Sequence, residues 1–218
     1  MRMLPARDAY ELWSETYPPT AHNPLMQAEQ AAVLERLTPI RATRALDVGT
    51  GSGRCVPMLA ATGARDVVCA DLSIGMLRRN RHRHRICADA HHLPLPSAAF
   101  DLVNASLMAG DITDLSPWLA ELSRVLMPGG HLIYSDFHPI WTERGWQRTF
   151  ETVDGQQCAL PRAPHTLNEH VSALKRAGLV VVATNEVHLP DPQRGVLRLL
   201  KPRDVPVVVV FHARKADV

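Results

Sequence analysis

Three aspartates follow short apolar runs, at positions where a carboxylate could bind polar groups of a ligand. Asp47 ends the run from Ala45, Asp71 follows Val67–Ala70, and Asp89 follows Arg85–Ala88. After the first of them comes Gly49-Thr50-Gly51-Ser52-Gly53, in which glycines alternate with small polar residues. Glycine lets backbone approach a ligand where a Cβ would collide, so this pattern indicates a nucleotide-like ligand.

Strands and helices alternate along the chain in a way that would place these residues together. The apolar runs predict seven strands, at about 45–48, 66–70, 85–88, 100–104, 131–137, 179–184 and 205–211. Helices are predicted up to about 61, from Ser73, over 114–126 and over 166–177. This alternation is typical of a doubly wound, mainly parallel α/β sheet, in which ligands bind at the carboxyl ends of the strands. Asp47–Gly53, Asp71, Asp89 and Asn104–Met108 all fall at such ends and are predicted to meet in one crevice.

Two parts of the chain depart from the alternation. Residues 8–37 read as helical with a break at Tyr17-Pro18-Pro19, and the later part has a predicted apolar face. The members of that face are Leu25, Ala28, Ala31, Ala32, Leu34 and Leu37. Residues 149–160 predict a β-hairpin with a two-residue type I′ turn at Asp154-Gly155, and Pro128-Gly129-Gly130 predicts a turn before the fifth strand.

Composition excludes several classes of function. The chain has 218 residues, a formal net charge of +2 and 46% hydrophobic residues, which is typical of one globular domain and gives no reason to expect nucleic acid or a membrane as partner. The arginine-rich run 78–85 has no interleaved aromatic residues, so a solvated helix end is the better interpretation. Four scattered cysteines indicate free thiols in a cytoplasmic protein, and eleven histidines without ligand spacing predict no metal. Oligomeric state cannot be read from the sequence.

The crevice could hold either of two cofactors. Dinucleotide sites usually show G-x-G-x-x-G, whereas here the third glycine, Gly53, comes one residue early. Asp71 suits ribose hydroxyls in either case. Asp89 discriminates better, because an acid at the end of the third strand suits the amino group of an adenine.

In these stretches the sequence resembles the class I S-adenosylmethionine-dependent methyltransferases. It is most similar to the small-molecule branch with quinone-biosynthesis C-methyltransferases and malonyl-carrier-protein O-methyltransferases. The matching stretches are Leu46–Gly53, Ala70–Ser73 with Met76–Leu77, Ala88–Ala90 with Leu93–Pro94, Phe100–Val103 and Glu121–Gly130. They cover about residues 45–137, and beyond 137 only the strand pattern is similar.

The resemblance implies a Rossmann-like methyltransferase fold, S-adenosylmethionine as cofactor and a set of cofactor contacts. Asp47 with Gly49, Thr50 and Gly51 would lie by the methionine part. Asp71 would bind the ribose, with Leu72 against the adenine and Met76 in the same motif. The remaining implied contacts are Asp89 and Ala90 at the adenine, and Asn104, Ala105, Ser106 and Leu107 under the methionine amino group and the reactive methyl.

The outer parts of the chain are predicted to form the acceptor site. We expect one domain with an N-terminal helical lid (1–40), a cofactor half (41–137) and a substrate-loop and C-terminal strand half (138–218). Aromatic residues predicted to be lid or acceptor wall are Tyr10, Trp13, Tyr17, Trp141 and Trp146, although a core-facing stripe explains the first three equally well. His138, just after the fifth strand, is a candidate base; His165 and His170 are weaker ones, because the polar outer face of a helix explains His170.

Three interpretations remain open from the sequence. The first is methyl transfer to a small-molecule acceptor, at oxygen, nitrogen or carbon. The second uses the same cofactor site for other sulfonium chemistry or for binding without turnover. The third is a nicotinamide-dependent oxidoreductase, which the early third glycine and Asp89 disfavour.

Overall fold

The computed structural model describes residues 1–189 and 205–217, and its centre is a seven-stranded sheet. The strands are β1 (Arg2–Met3), β2 (Arg44–Val48), β3 (Asp66–Asp71), β4 (Arg85–Cys87), β5 (Phe100–Ala105), β6 (Leu126–Phe137), β7 (Arg148–Glu151), β8 (Gln157–Leu160), β9 (Leu179–Val187) and β10 (Val208–Lys215). The helices are α1 (Ala6–Trp13), α2 (Pro24–Leu37), α3 (Val56–Ala61), α4 (Ile74–Arg79), α5 (Leu115–Val125), α6 (Ile140–Glu143) and α7 (Leu167–Arg176), with a 3₁₀ turn at Ala109–Asp111.

The order of strands confirms the predicted doubly wound sheet. It runs β4-β3-β2-β5-β6-β10-β9, with parallel pairing from β4 to β6 and an antiparallel β10 between β6 and β9. The chain therefore builds outward from β2 in one direction and from β5 in the other. A crevice forms at such a switch point, at the carboxyl ends of the two strands.

Each face of the sheet packs against its own layer of helices. Successive residues of a strand point to opposite faces, so Ala45 belongs to the core under α2 and α3, and Leu46 to the core under α5 and α7. Trp118 of α5 is fully buried and meets Tyr134 edge-on, with ring centroids 5.5 Å apart. Truncation of such a residue typically costs about 3–5 kcal/mol of stability, so these layers fix where the strand ends lie.

A second, three-stranded sheet lies outside the main one. The hairpin β7–β8 is antiparallel, and β1 joins it by parallel pairing of Arg2 with Cys158 and Met3 with Ala159. The sequence predicted the hairpin but not β1. The predicted two-residue turn is wrong: residues 152–156 form a longer connection, in which the Thr152 and Gly155 amides donate to the carbonyls of Gln156 and Thr152.

Several predicted boundaries are also corrected. The fifth strand of the sequence prediction begins earlier, at Leu126, because Pro128–Gly130 is accommodated as a shift in register between β5 and β6 rather than as a separate turn. The last strand covers Val208–Lys215 instead of 205–211, since Pro206 has no N–H to donate to a ladder.

The buried face of α2 is rotated from the predicted one. Ala31 and Leu34 are exposed, and Glu29 and Val33 are buried instead. A charged residue on the inner face conceals the apolar spacing, which is why the pattern of alanines and leucines gave the wrong face.

Candidate functional site

A cavity of about 670 Å³ opens at the carboxyl ends of β2, β3, β4 and β5. Most of the predicted site residues line it together. They are Tyr10, Trp13, Tyr17, Asp47, Gly49, Thr50, Gly51, Asp71, Leu72, Met76, Asp89, Ala90, Ser106, Leu107 and Trp141. The remaining ones, Asn104, Ala105, Trp146 and His138, lie outside the lining.

The glycine turn brings bare backbone to the cavity wall. Gly51 has φ +54°, a left-handed conformation that disfavours side chains, and a Cβ built on it would meet no protein atom within 4 Å. The turn therefore leaves open space that a ligand can occupy. Ser52 beside it has a buried Oγ that finds no hydrogen-bond partner among the described residues.

The carboxylate of Asp71 is held by this turn and by the start of α4. Its Oδ2 accepts from the Gly51 amide at 2.7 Å and its Oδ1 from the Ser73 amide at 2.9 Å. Burial raises its pKa, although the same amide donors act in the opposite direction. Ser73 in turn caps α4 by accepting from the Met76 amide at 3.1 Å, as the sequence predicted.

Asp89 sits at the open end of the cavity. Its side chain is 54% exposed, and its Oδ1 accepts from the amide of His91 at 2.9 Å and approaches the His91 ring nitrogen Nδ1 at 2.8 Å. The amide donor lowers the pKa of Asp89, so the group is ionised at neutral pH.

Asp47 occupies the buried end. Its two oxygens accept from the Thr50 hydroxyl and the Asn104 amide, each at 2.7 Å. Burial raises the pKa of Asp47 to about 6. Asn104 thus supports Asp47 from behind and does not reach the cavity itself.

The loop after β5 has an unusual backbone at the cavity. Leu107 has φ +55°, which is rare for a residue with a branched side chain. Its amide donates to Ser135 Oγ at 2.7 Å, and that hydroxyl donates to the fully buried Glu29 at 2.7 Å. Tertiary contacts therefore hold a strained conformation, a kind of strain that concentrates at functional sites.

The aromatic residues of the N-terminal segment serve both as cavity wall and as core. Trp13 stacks on Phe150 of β7 at 5.0 Å between centroids and meets Tyr17 edge-on at 4.9 Å. The packing predicted for this stripe is present, and its role as a lid over a ligand stays a prediction.

A set of hydrogen bonds accepted by Glu11, which we call the latch, connects α1 to the start of α4. The Glu11 carboxylate accepts from Ser73 Oγ at 2.7 Å and from the Gly75 amide at 3.0 Å. Those two donors lower the pKa of Glu11, the backbone amide most. Arg79 adds hydrogen bonds to the carbonyls of Glu15 and Tyr17.

The sequence did not indicate a buried ion pair at the other side of the cavity. Arg148 of β7 and Asp111 of the 3₁₀ turn form a bidentate pair, and the Tyr10 hydroxyl donates to Asp111 at 3.0 Å while it accepts from Arg148 at 3.1 Å. Asp111 lies 37 positions from Arg148 and 101 positions from Tyr10 in the sequence, so no local pattern could reveal these contacts.

The three histidines considered as bases lie elsewhere. His138 does not line the cavity: its Nδ1 accepts from the Ile140 amide at 3.2 Å and its Nε2 lies 3.9 Å from Glu186. We therefore do not assign it the role of base. His170 is fully buried beside Asp136, at 3.4 Å, so its predicted place on the outer face of α7 is wrong. His165 binds the Ile112 carbonyl at 2.6 Å.

The donor set fits S-adenosylmethionine, the cofactor that the sequence resemblance implies. A turn of bare backbone, the unpartnered Ser52 hydroxyl and three carboxylates surround the space. Carboxylates suit the ribose hydroxyls and the cationic groups of this molecule. Across the part of the chain that the structure describes, no three His, Cys, Asp or Glu side chains gather to hold a metal ion. Within residues 1–189 and 205–217, no helix is long and apolar enough to cross a bilayer.

Comparison with known proteins gives a family match, similar curated proteins and a similar solved structure. Residues 46–134 match a family described as a methyltransferase domain. The chain is 35% identical to the malonyl-[acyl-carrier protein] O-methyltransferase of Halorhodospira halophila, over 61% of this chain and 48% of that protein. It is 40% identical to the demethylmenaquinone methyltransferase of Corynebacterium urealyticum, over 43% of this chain and 41% of that protein.

A solved structure extends the similarity over most of the chain. The S-adenosylmethionine-dependent methyltransferase from Mesorhizobium loti is 25% identical, with a TM-score of 0.71, over 86% of this chain and 98% of that one. The chain spans about half or less of the length of the two curated relatives above.

Proposed function

We propose that the chain is a class I S-adenosylmethionine-dependent methyltransferase that transfers a methyl group to a small-molecule acceptor by in-line displacement, in keeping with its match to a methyltransferase domain over residues 46–134. The proposal rests on one observation: Asp47, Asp71 and Asp89, at the ends of three neighbouring parallel strands, line a single cavity with the glycine turn. A volume of about 670 Å³ is in the range of small-molecule sites.

Different residues of the chain would bind different parts of the cofactor. Asp71 would accept hydrogen bonds from the ribose hydroxyls, with Leu72 and Met76 beside the base. Asp89 and Ala90 would face the adenine. Asp47, with the turn from Gly49 to Gly51, would lie by the methionine part.

The cofactor, when bound, supplies a methyl group already activated by its sulfonium. What remains for the protein is to hold an acceptor in line, to keep its lone pair free and to exclude water. Tyr10, Trp13 and Tyr17 line the cavity, and an aromatic ring face turned toward it would attract a cationic ligand. The rigid turn at Leu107 would fix the wall past which the methyl group moves.

The acceptor side of the cavity favours an apolar or flat molecule. Its lining includes the apolar residues Leu107, Met108, Ile112, Phe137 and Trp141, and the charged side chains beside them, Asp111 and Arg148, are paired with each other. The names of the curated relatives give malonyl-[acyl-carrier protein] and demethylmenaquinone as their substrates. We propose an acceptor with a comparable apolar or planar portion, without assigning the atom that is methylated.

The decisive experiment is incubation of the purified chain with S-adenosylmethionine and fractions of small-molecule extract. We expect S-adenosylhomocysteine to form, detected by mass spectrometry, only when the right fraction is present. Calorimetry should show binding of S-adenosylhomocysteine and none of NAD. Binding without any product in every fraction would favour a non-catalytic role or other sulfonium chemistry, and binding of NAD alone would refute the proposal.

A further inference from the structure

Arg54 is a cation at the cavity wall that pairs with a buried carboxylate through only part of its guanidinium. Its side chain is 10% exposed and lines the cavity just after the glycine turn. Within the described residues its contacts are confined to Nη1, which lies 2.9 Å from Glu29 Oε2 and 3.3 Å from Gln30 Oε1. The rest of the guanidinium fork has no protein partner there and remains available to a ligand.

Two other arginines line the cavity, and neither offers the same site. Both terminal nitrogens of Arg148 are used by Asp111, the Tyr10 hydroxyl and the Pro161 carbonyl, and its Nε is buried away from solvent. Arg7 projects from the exposed face of α1. A carboxylate bound inside the cavity would thus find its cation at Arg54.

Glu29 holds this arginine in place from the inner face of α2. The residue is fully buried, which is costly for a carboxylate unless charges and donors compensate it. Its Oε1 receives the Ser135 hydroxyl at 2.7 Å, and its Oε2 faces Arg54. Through Ser135 the same carboxylate also fixes the strained turn at Leu107. One buried group therefore arranges two parts of the cavity wall.

We propose that Arg54 binds the carboxylate of the cofactor's methionine part, and that Glu29 is a positioning residue that aims the guanidinium. This rests on the function proposed above. A guanidinium fork matches a carboxylate in shape and charge, and two parallel N–H donors make such a pair strong and directional. A cation pinned by a buried partner loses little conformational freedom when the ligand arrives.

A pair of ligands isolates this contact. S-adenosylhomocysteine has the carboxylate, and S-adenosyl-3-thiopropylamine is the same molecule without it. We expect R54Q to weaken binding of S-adenosylhomocysteine by about 10- to 100-fold in calorimetry, and to leave the affinity for S-adenosyl-3-thiopropylamine within about threefold. R54K should fall between, because lysine keeps the charge and loses the fork.

Matched variants separate the role of Arg54 from a general effect of charge. R65Q removes an exposed arginine that does not line the cavity and should change neither affinity. R7Q tests the competing arginine of the lining. The proposal is overturned if R7Q shows the carboxylate-specific loss instead of R54Q, or if R54Q weakens both ligands equally.

E29Q tests the positioning role. Glutamine keeps an acceptor for Ser135 but cannot neutralise Arg54, so we expect a smaller loss, about 3- to 10-fold, again confined to S-adenosylhomocysteine. Equal loss for both ligands would mean that Glu29 only supports the fold and would refute its positioning role. If the wild type binds S-adenosylhomocysteine and R54Q binds it equally well, this inference fails while the proposed function stands. If the wild type does not bind it, both fail.

Discussion

At the scale of single residues, the three aspartates differ in environment although they face one cavity. Asp47 is buried with a raised pKa, Asp71 is held by two backbone amides, and Asp89 is exposed and ionised. Position at a strand end thus fixes where an acid lies, while its neighbours decide its charge.

Asp47 should make the stability of the unliganded protein depend on pH. Its pKa is about 6 in the folded chain against an ordinary value of 3.8, so between these values only the unfolded chain ionises. The contribution of Asp47 to the free energy of unfolding is therefore most favourable below about pH 4 and falls as the pH rises to about 6. Above pH 6 it stays lower by ~3 kcal/mol. Urea unfolding of wild type and D47N at pH 4 and pH 7 measures it. A difference between the two proteins that does not change with pH would contradict this prediction.

Substitution of Asp71 should weaken cofactor binding. In D71N one carboxylate oxygen becomes an amide that faces the donors of Gly51 or Ser73, and the acceptor for the ribose is lost. We expect S-adenosylhomocysteine to bind about 10- to 100-fold more weakly in calorimetry.

Asp66 provides the matched control, because it begins the strand that Asp71 ends. D66N, at the opposite end of the same strand, should bind as the wild type does. Comparable losses in D66N and D71N would show that the effect is one of strand stability.

At the scale of elements, the latch between α1 and α4 holds the aromatic wall in place. Glu11 bonds to Ser73 and Gly75, and Ser73 also donates its amide to Asp71. A movement of α1 is therefore communicated to the strand end where we place the ribose.

Removal of the latch should loosen α1 without unfolding the sheet. In E11A we expect faster amide hydrogen exchange over residues 6–13 and a loss of roughly 1 kcal/mol in stability, comparable to the loss of a helix cap. D8A, one turn away on the same helix, is the control. Because the Glu11 pKa is lowered, protonation at acidic pH should mimic E11A. Unchanged exchange over 6–13 would show that the hydrogen bonds of Glu11 do not restrain the helix.

Local pattern was sufficient to predict the strand ends that carry the three aspartates and the capping of α4 by Ser73, and insufficient for the contacts that span the chain. Asp71 and Ser73 follow from a strand and its turn, whereas Glu29 meets Ser135 across 106 positions and Tyr10 meets Asp111 across 101. A strand of two residues such as β1 has no periodicity to detect, because it exists only through pairing with β8. His138 was misplaced for a related reason: the sequence gives the end of β6 but not the direction of the side chain that follows.

At the scale of the whole molecule, Arg148, Asp111 and Tyr10 join three parts: the small sheet, the loop after β5 and the N-terminal helix. The proposed division into parts 1–40, 41–137 and 138–218 stays a prediction, and residues 190–204 and 218 of the last part lie outside the described residues. The ion pair is buried, with side chains 7% and 9% exposed.

Breaking this pair should cost much more than replacing it. R148M leaves Asp111 buried and uncompensated, and we expect a loss of about 3–5 kcal/mol in urea unfolding. The double variant R148M/D111L should recover most of that loss. If the two single losses simply add in the double variant, the pair is not coupled and the three parts are held together by other contacts.

The parallel pairing of β1 with β8 has a kinetic consequence. The N-terminal helix begins three residues after that strand and is latched at Glu11, while β8 belongs to the hairpin that carries Arg148. Neither α1 nor the β7–β8 hairpin can therefore move away from the cavity without the other. Ligand binding and release should show a single relaxation rate. A probe on α1 and a probe on the β7–β8 hairpin should report the same rate.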